Sequence, residues 1–159
     1  MRRLALLTVL AVLTGCGITP TGVHRGGEPP TGISNGMRLY FVSDSGLRGV
    51  ARHNRQLRNL DDIVKLLLAG PDAAEQRTGL STLVYVSGSF HTSAAKNSVT
   101  LKLARDQQTD WMATGQLVCS LARGHAVLKG SRPDRVQVTI ITGKRSAGPY
   151  RCPQFLSTQ

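Results

Sequence analysis

An apolar stripe in residues 60–80, which read LDDIVKLLLAGPDAAEQRTGL, constrains the fold more than any other stretch of the chain. Apolar side chains recur here at the spacing of one face of an α-helix, so this face has to pack against a core. The residues of the stripe are Leu60, Ile63, Val64, Leu67 and Leu68. We expect Asn59 to cap the helix, with Asp62 reaching back to it as in a capping box. Gly70 and Pro71 end the helix, because glycine accepts the left-handed conformation and proline cannot continue the helix.

A second short helical turn follows at once. Asp72 suits its N-cap, Glu75 the third helical position and Gly79 its stop. In the first helix, Asp61 and Asp62 place negative charge on the positive end of the helix dipole. Dipole capping therefore accounts for this carboxylate pair without any catalytic role.

The N-terminus has the pattern of a bacterial lipoprotein signal. Two arginines precede an apolar run of about ten residues, which is too short to span a membrane. Leu13-Thr14-Gly15-Cys16 then resembles a lipobox, in which small residues fit a peptidase pocket and the cysteine thiol receives diacylglycerol. We therefore predict a signal peptide at 1–15 and lipid attachment at Cys16. The alternatives are a plain secretory signal and a buried apolar helix.

Residues 16–36 are rich in glycine, proline, threonine and serine and have no apolar periodicity. This composition predicts a lipidated flexible tether, the alternative being an ordered arm packed on the domain. Acylation of Cys16 would anchor the protein to the outer face of the bacterial cytoplasmic membrane.

The chain is strongly basic, with 20 Lys and Arg against 9 acidic residues and a formal net charge of +11. Such a charge predicts an acidic neighbour, which could be nucleic acid, anionic lipid or an anionic wall polymer. The export signal and the lack of basic strands interleaved with aromatic residues argue against nucleic acid. We predict a polyanion contact in the most basic stretch; an ordinary solvated face is the alternative. Its candidate residues are Arg48, Arg52, Arg55 and Arg58.

Period-two patterns predict five strands, and a second amphipathic helix lies between the last two. The strands are expected at 37–42, 47–52, 83–90, 99–104 and 136–141. The helix is expected from Thr109 to Ala122, with Gly124 as its stop, and Gly115 inside it predicts a close packing contact. The order ββαββαβ predicts an α+β fold, a two-layer sandwich with two helices on one face of a mixed or antiparallel sheet.

Within the stripe and the turn after it, LLLAGPDAAEQRTGL resembles the signature of the GerMN domain of spore germination and sporulation proteins. The most specific part is Leu67-Leu68-Ala69-Gly70-Pro71 followed by Gly79-Leu80. The resemblance implies a ring-building-motif-like domain at 37–142 and a non-catalytic interaction module in envelope remodelling, sporulation or germination. Members often carry a proline soon after Gly-Leu, where this chain has Leu83-Val84-Tyr85.

A search for catalytic motifs finds none in a suitable context. Gly32-Ile33-Ser34-Asn35-Gly36 matches GxSxG, but it lies in the glycine-rich and proline-rich stretch 16–36 and not at the strand-to-helix turn of a nucleophile elbow. No phosphate-binding GxxxxGK[ST] or GxGxxG is present. The histidines have no metal-ligand spacing and are expected to be ordinary surface residues. They are His24, His53, His91 and His125.

These absences predict a protein that is not an enzyme, with no metal, no cofactor, no small-molecule substrate and no nucleic-acid partner. The expected partners are the membrane, through the lipid anchor, and either an envelope protein or an anionic wall polymer. The alternative is an envelope hydrolase or an accessory subunit of one, for which a nucleophile or metal constellation should exist.

Once Cys16 is assigned to lipid, Cys119 and Cys152 remain as an even pair outside the cytoplasm, which predicts a disulfide. It would close a loop of about 33 residues, for which the chain-entropy model gives about 3–4 kcal/mol. It would also pin the tail at 143–159 to the domain. The alternative is two buried free thiols.

Overall fold

The computed structural model describes residues 36–52, 56–108 and 110–156. Within them the chain forms six strands, four α-helices and a 3-10 turn, so the predicted α+β class is confirmed. In chain order the elements are β1 Arg38–Ser43, β2 Gly46–Ala51, α1 Asp61–Ala69, α2 Ala73–Arg77, β3 Phe90–Ala95, β4 Ser98–Leu103, α3 Trp111–Lys129, the turn Pro133–Arg135, β5 Gln137–Thr142, β6 Arg145–Tyr150 and α4 Pro153–Leu156.

The strands form two sheets instead of the one that was expected. Strands β1 and β2 are an antiparallel hairpin, while the larger sheet has the order β3-β4-β5-β6. Among the strands of the described ranges, only the β4–β5 pair is parallel. Strand β6 pairs with β5, so the start of the segment predicted to be a tail belongs to the sheet.

The strand expected at 83–90 is displaced, because β3 begins only at Phe90. Side chains bind several backbone donors of the preceding segment in place of a strand ladder. The Leu83 N–H donates to Gln116 Oε1 at 2.7 Å, the Val84 N–H to Thr82 Oγ1 at 3.3 Å and the Ser87 N–H to Gln107 Oε1 at 3.0 Å. The β-forming sequence therefore lies outside the described strands, a case in which tertiary context overrides propensity.

Gly124 does not end the second helix, contrary to the prediction. Helix α3 continues to Lys129, and Gly130 takes the left-handed cap position with φ of 66°. Gly124 instead lies where α1 crosses α3, since an added Cβ would lie 2.8 Å from Cγ1 of Ile63. The close contact predicted at Gly115 is confirmed, because a Cβ there would lie 2.8 Å from Cδ1 of Phe155.

The helix starts follow the predicted capping chemistry with small shifts. Helix α1 begins one residue later than expected, yet Asn59 Oδ1 accepts the Asp62 N–H at 3.1 Å and Asp62 Oδ2 accepts the Asn59 N–H at 3.4 Å. Asp72 and Glu75 form the expected capping box of α2. At α3 the carboxylate of Asp110 accepts the Met112 N–H at 2.9 Å, whereas the predicted cap, Thr109, lies outside the described residues.

Helix α3 is buried on all sides from Ala113 to Ala122, and two of its buried polar side chains, Gln116 and Ser120, bind strand β1. The Tyr40 N–H donates to Ser120 Oγ at 2.9 Å, and Gln116 Nε2 donates to the Tyr40 carbonyl at 3.1 Å. These two side chains lie one helical turn apart, so together they act on β1 as a neighbouring strand would.

Replacing Gln116 by leucine would leave the Tyr40 carbonyl and the Leu83 N–H without partners in a buried site. Each orphaned group costs about 1–3 kcal/mol, so we expect the free energy of unfolding to fall by about 2–6 kcal/mol. Urea denaturation measures this loss. The matched control is Gln108→Leu on the surface, which should change stability by less than about 0.5 kcal/mol. Equal stability of the two variants would contradict the role given to Gln116.

Candidate functional site

The four arginines of the predicted polyanion contact have different environments. Arg48 and Arg58 are exposed, and their guanidinium groups have no hydrogen bond or ion pair within the described residues. Arg55 lies outside the described residues. The structure therefore places two of the candidates, Arg48 and Arg58, at the surface with free guanidinium groups.

Arg52, the third described candidate, is held by an internal ion pair. Its guanidinium binds both carboxylate oxygens of Glu75, with an Nη2–Oε2 distance of 2.7 Å, and lies 5.5 Å from the centroid of the Phe41 ring. The hydrogen bond from Arg52 lowers the pKa of Glu75, and the same bond raises the pKa of Arg52. Arg52 thus joins the end of β2 to α2 and does not offer its charge to a partner.

Arg58 lies at the mouth of a cleft that sequence reasoning did not find. The cleft has a volume of about 590 Å³ and is lined by the start of α1, one side of β3 and the end of α3. Its charged and titratable residues are Arg58, Asp61, His91, His125 and Lys129. Four of these five are basic side chains, drawn from three separate parts of the chain, so no short motif could have revealed them.

Asp61 binds strand β3, which goes beyond the dipole capping predicted for it. Its Oδ1 accepts the backbone N–H and the hydroxyl of Thr92, both at 2.7 Å, and its Oδ2 lies 3.7 Å from Nδ1 of His91. The capping hydrogen bonds are made by Asp62. The two adjacent carboxylates therefore have separate partners.

His125 is buried, so its prediction as an ordinary surface histidine is wrong. The residue is 1% exposed, and its Nδ1 lies 2.8 Å from the hydroxyl of Ser131. Burial lowers its pKa, and the nearby charge of Lys129 lowers it further. The sequence carried a signal, since His125 follows Val118 and Leu121 at helical spacing, but the expected stop at Gly124 hid it.

The cysteines predicted to pair lie together. The Sγ atoms of Cys119 and Cys152 are 2.10 Å apart, which joins the buried middle of α3 to the residue before α4. Beside this link, Trp111 packs on Tyr150 and Phe155, with ring centroids 5.9 Å and 4.2 Å away. The end of the chain is thus tied to α3 by sulfur and by aromatic contacts.

Exposed apolar groups mark a second, smaller recess of about 290 Å³ beside the extended segment before β3. Leu83 and Tyr85 border it, and Tyr85 is 75% exposed. Gln107 Nε2 donates to the Tyr85 carbonyl at 2.6 Å and so fixes the backbone there.

Within the described ranges, no three His, Cys, Asp or Glu side chains are grouped to hold a metal ion. No helix in those ranges is both long and apolar enough to cross a membrane. Comparisons with protein-family models, with curated proteins and with solved structures found no match.

The lowered pKa of His125 predicts how stability depends on pH. The unfolded chain takes up a proton near pH 6.5, whereas the folded chain does so only at lower pH. The stabilising contribution is therefore complete above pH 6.5 and is lost as pH falls toward the folded-state pKa. We expect His125→Gln to flatten the fall of unfolding free energy between pH 7.5 and 5.5, measured by urea denaturation. The control is Gln108→Leu at the surface, which removes no titrating group and should keep the wild-type slope; a wild-type slope in His125→Gln would contradict the assignment.

Proposed function

We propose that the protein is a GerMN-like bacterial lipoprotein, a non-catalytic binding module anchored at the outer face of the cytoplasmic membrane. The support for the anchor is the sequence Leu13-Thr14-Gly15-Cys16 after a short apolar run. The support for the family is the sequence around Gly70-Pro71 and Gly79-Leu80. Its role is in envelope remodelling, sporulation or germination, through binding of an envelope protein or an anionic wall polymer.

We extend this proposal to the fold. Helices α1 and α3 with the four-stranded sheet correspond to a ring-building-like two-layer sandwich, to which the hairpin β1–β2 is added against α3. The support is the burial pattern of β4 and β5, in which one set of alternating side chains is buried and the other is half-buried or exposed. One face of the larger sheet is then available to partners.

The main support for binding to a polyanion is that the guanidinium groups of Arg48 and Arg58 have no partner within the described residues, in a chain of strongly positive charge. Loss of the two N-terminal arginines with the signal peptide would leave a formal charge of about +9. A tether at 16–36 would hold this charge close to anionic lipid and wall polymer. Attraction over the Debye length of about 8 Å would then favour contact.

The cysteine assignments predict one pattern of modification in protein extracted from cells. Peptide mapping under non-reducing conditions should find Cys16 acylated, and Cys119 and Cys152 in one linked fragment. Cys16→Ser should abolish acylation and leave the link intact. An acyl group that survives Cys16→Ser would overturn the anchor, and recovery of Cys119 and Cys152 as free thiols would overturn the disulfide.

Charge reversal tests the binding part. In protein that begins at Gly36 and so lacks the anchor, Arg48→Glu with Arg58→Glu should weaken binding to anionic vesicles. Each basic residue near such a surface contributes about 1 kcal/mol, so the loss should be about thirtyfold or more. Sedimentation with vesicles at low and high salt measures it, and wild-type binding should itself weaken with salt.

Arg52 is left unchanged in this test because its reversal would break the pair with Glu75 and confuse binding with stability. The matched control reverses two other exposed cations, Lys102 and Lys144, which gives the same net charge. Equal loss in both double variants would show that only total charge matters. Unchanged binding in Arg48→Glu with Arg58→Glu would show that this stretch is an ordinary surface.

A further inference from the structure

The cleft at the start of α1 has the size of a ligand site. Its volume of about 590 Å³ lies within the range of about 300–1,000 Å³ that is usual for small-molecule sites. Three elements converge on it, and β3 contributes the edge that faces away from β4. The strand of a second copy cannot pair with this edge at Thr92, because the Thr92 N–H already donates its hydrogen bond to Asp61.

The charges of the cleft are unbalanced. Arg58 and Lys129 are exposed, and neither makes an ion pair within the described residues. The one acid, Asp61, is engaged by two hydrogen bonds from Thr92. A positive field therefore remains at the cleft. Guanidinium and ammonium groups together are the side chains that most often bind phosphate, the first as a planar fork and the second as a point charge.

The wall of the cleft also contains a buried polar group. The imidazole of His125 is 1% exposed, and Ser131 holds its Nδ1. The ring lines the cleft, and no buried side-chain nitrogen or oxygen among the described residues lacks a hydrogen-bond partner, so its Nε2 is not an orphaned buried group. Burial and the charge of Lys129 lower the pKa of His125 and so favour the neutral imidazole, whose Nε2 can exchange a hydrogen bond with a ligand hydroxyl.

We infer that this cleft binds a polyol phosphate, with the phosphate between Arg58 and Lys129 and the hydroxyl groups toward Asp61 and His125. A phosphate alone would fill only a small part of 590 Å³, so a hydroxyl-bearing body is needed for the rest. The Oδ2 of Asp61 can accept a hydrogen bond from such a hydroxyl, and the Nε2 of His125 can accept or donate one according to the tautomer of the ring. This inference goes beyond the proposed function, because it depends on the cleft alone and on neither the anchor nor the family.

Titration with glycerol 3-phosphate tests the inference. Full-length protein in an uncharged maltoside detergent would be followed by amide NMR shifts in phosphate-free buffer. We expect saturable shifts at Thr92 and His125, weaker binding of inorganic phosphate and none of glycerol. The absence of a saturable shift up to about 10 mM ligand would overturn the proposal, because it would mean that the binding free energy is weaker than about −3 kcal/mol. Equal binding of inorganic phosphate and glycerol 3-phosphate would overturn the assignment of the polyol.

Variants separate the site from general charge attraction. Arg58→Gln with Lys129→Gln should weaken glycerol 3-phosphate binding at least about tenfold, which is the loss of about 1.4 kcal/mol. The matched control is Lys65→Gln with Lys102→Gln, which removes the same charge outside the cleft and should bind as wild type. Circular dichroism checks that both double variants remain folded as the wild type does. Equal weakening in both pairs would overturn the site.

The polyol phosphate could be a lipid headgroup or a soluble ester, and a second arm distinguishes them. Nanodiscs that contain phosphatidylglycerol should shift the Thr92 and His125 amides if the headgroup enters the cleft. Shifts with the soluble ester alone would assign a soluble or polymeric source, and shifts with neither would overturn the inference. Arg48→Glu should leave glycerol 3-phosphate binding unchanged, so failure of the surface contact and failure of the cleft give different results.

Discussion

The rest of the structure depends on two polar side chains inside its most buried helix. Gln116 and Ser120 are fully buried, and between them they satisfy both backbone groups of Tyr40 and the N–H of Leu83. Buried backbone groups without partners are costly, so these bonds are what permits α3 to pack against β1 and the extended segment at once. The hairpin and the larger sheet can then share a single helix as their core.

The same solution recurs at other strand edges. An unpaired edge tends to bind another chain, and proteins protect such edges with side chains or proline. Here Ser81 pairs with Val42 at the edge of β1, Asp61 takes the Thr92 N–H at the edge of β3, and Pro149 in β6 has no N–H to offer. A loop residue, a helix side chain and a proline thus block further strand pairing at these sheet edges. Asp61 also shapes the cleft, so protection of the edge and formation of a basic site depend on one carboxylate.

Local sequence patterns predicted the features that depend on interactions between residues close in sequence. The stripe of α1, the capping box of Asp72 and Glu75 and the hairpin depend on residues close in sequence, and all are present except that Leu68, predicted to face the core, is exposed. Gly124 and Gly130 show where such reasoning stops. A glycine ends a helix where its backbone turns left-handed, but it continues the helix where another helix crosses closely, and only the position of Ile63 distinguishes the two. The cleft escaped prediction for the same reason, since His91, His125 and Lys129 meet only through the fold.

Counting charges along the sequence also fails to show which basic side chains remain available to a partner, as Arg52 and Arg58 demonstrate. Both lie in the most basic stretch, yet the guanidinium of Arg52 is paired with Glu75, while that of Arg58 has no partner within the described residues. Glu75 can hold Arg52 because its Oε2 also accepts the Asp72 N–H, which fixes the carboxylate at the start of α2. A capping box built from local sequence therefore decides which arginine remains available. The positions of the acidic side chains therefore decide which basic side chains stay available to a partner. At the cleft the acidic side chain is Asp61, whose Oδ1 already accepts two hydrogen bonds from Thr92.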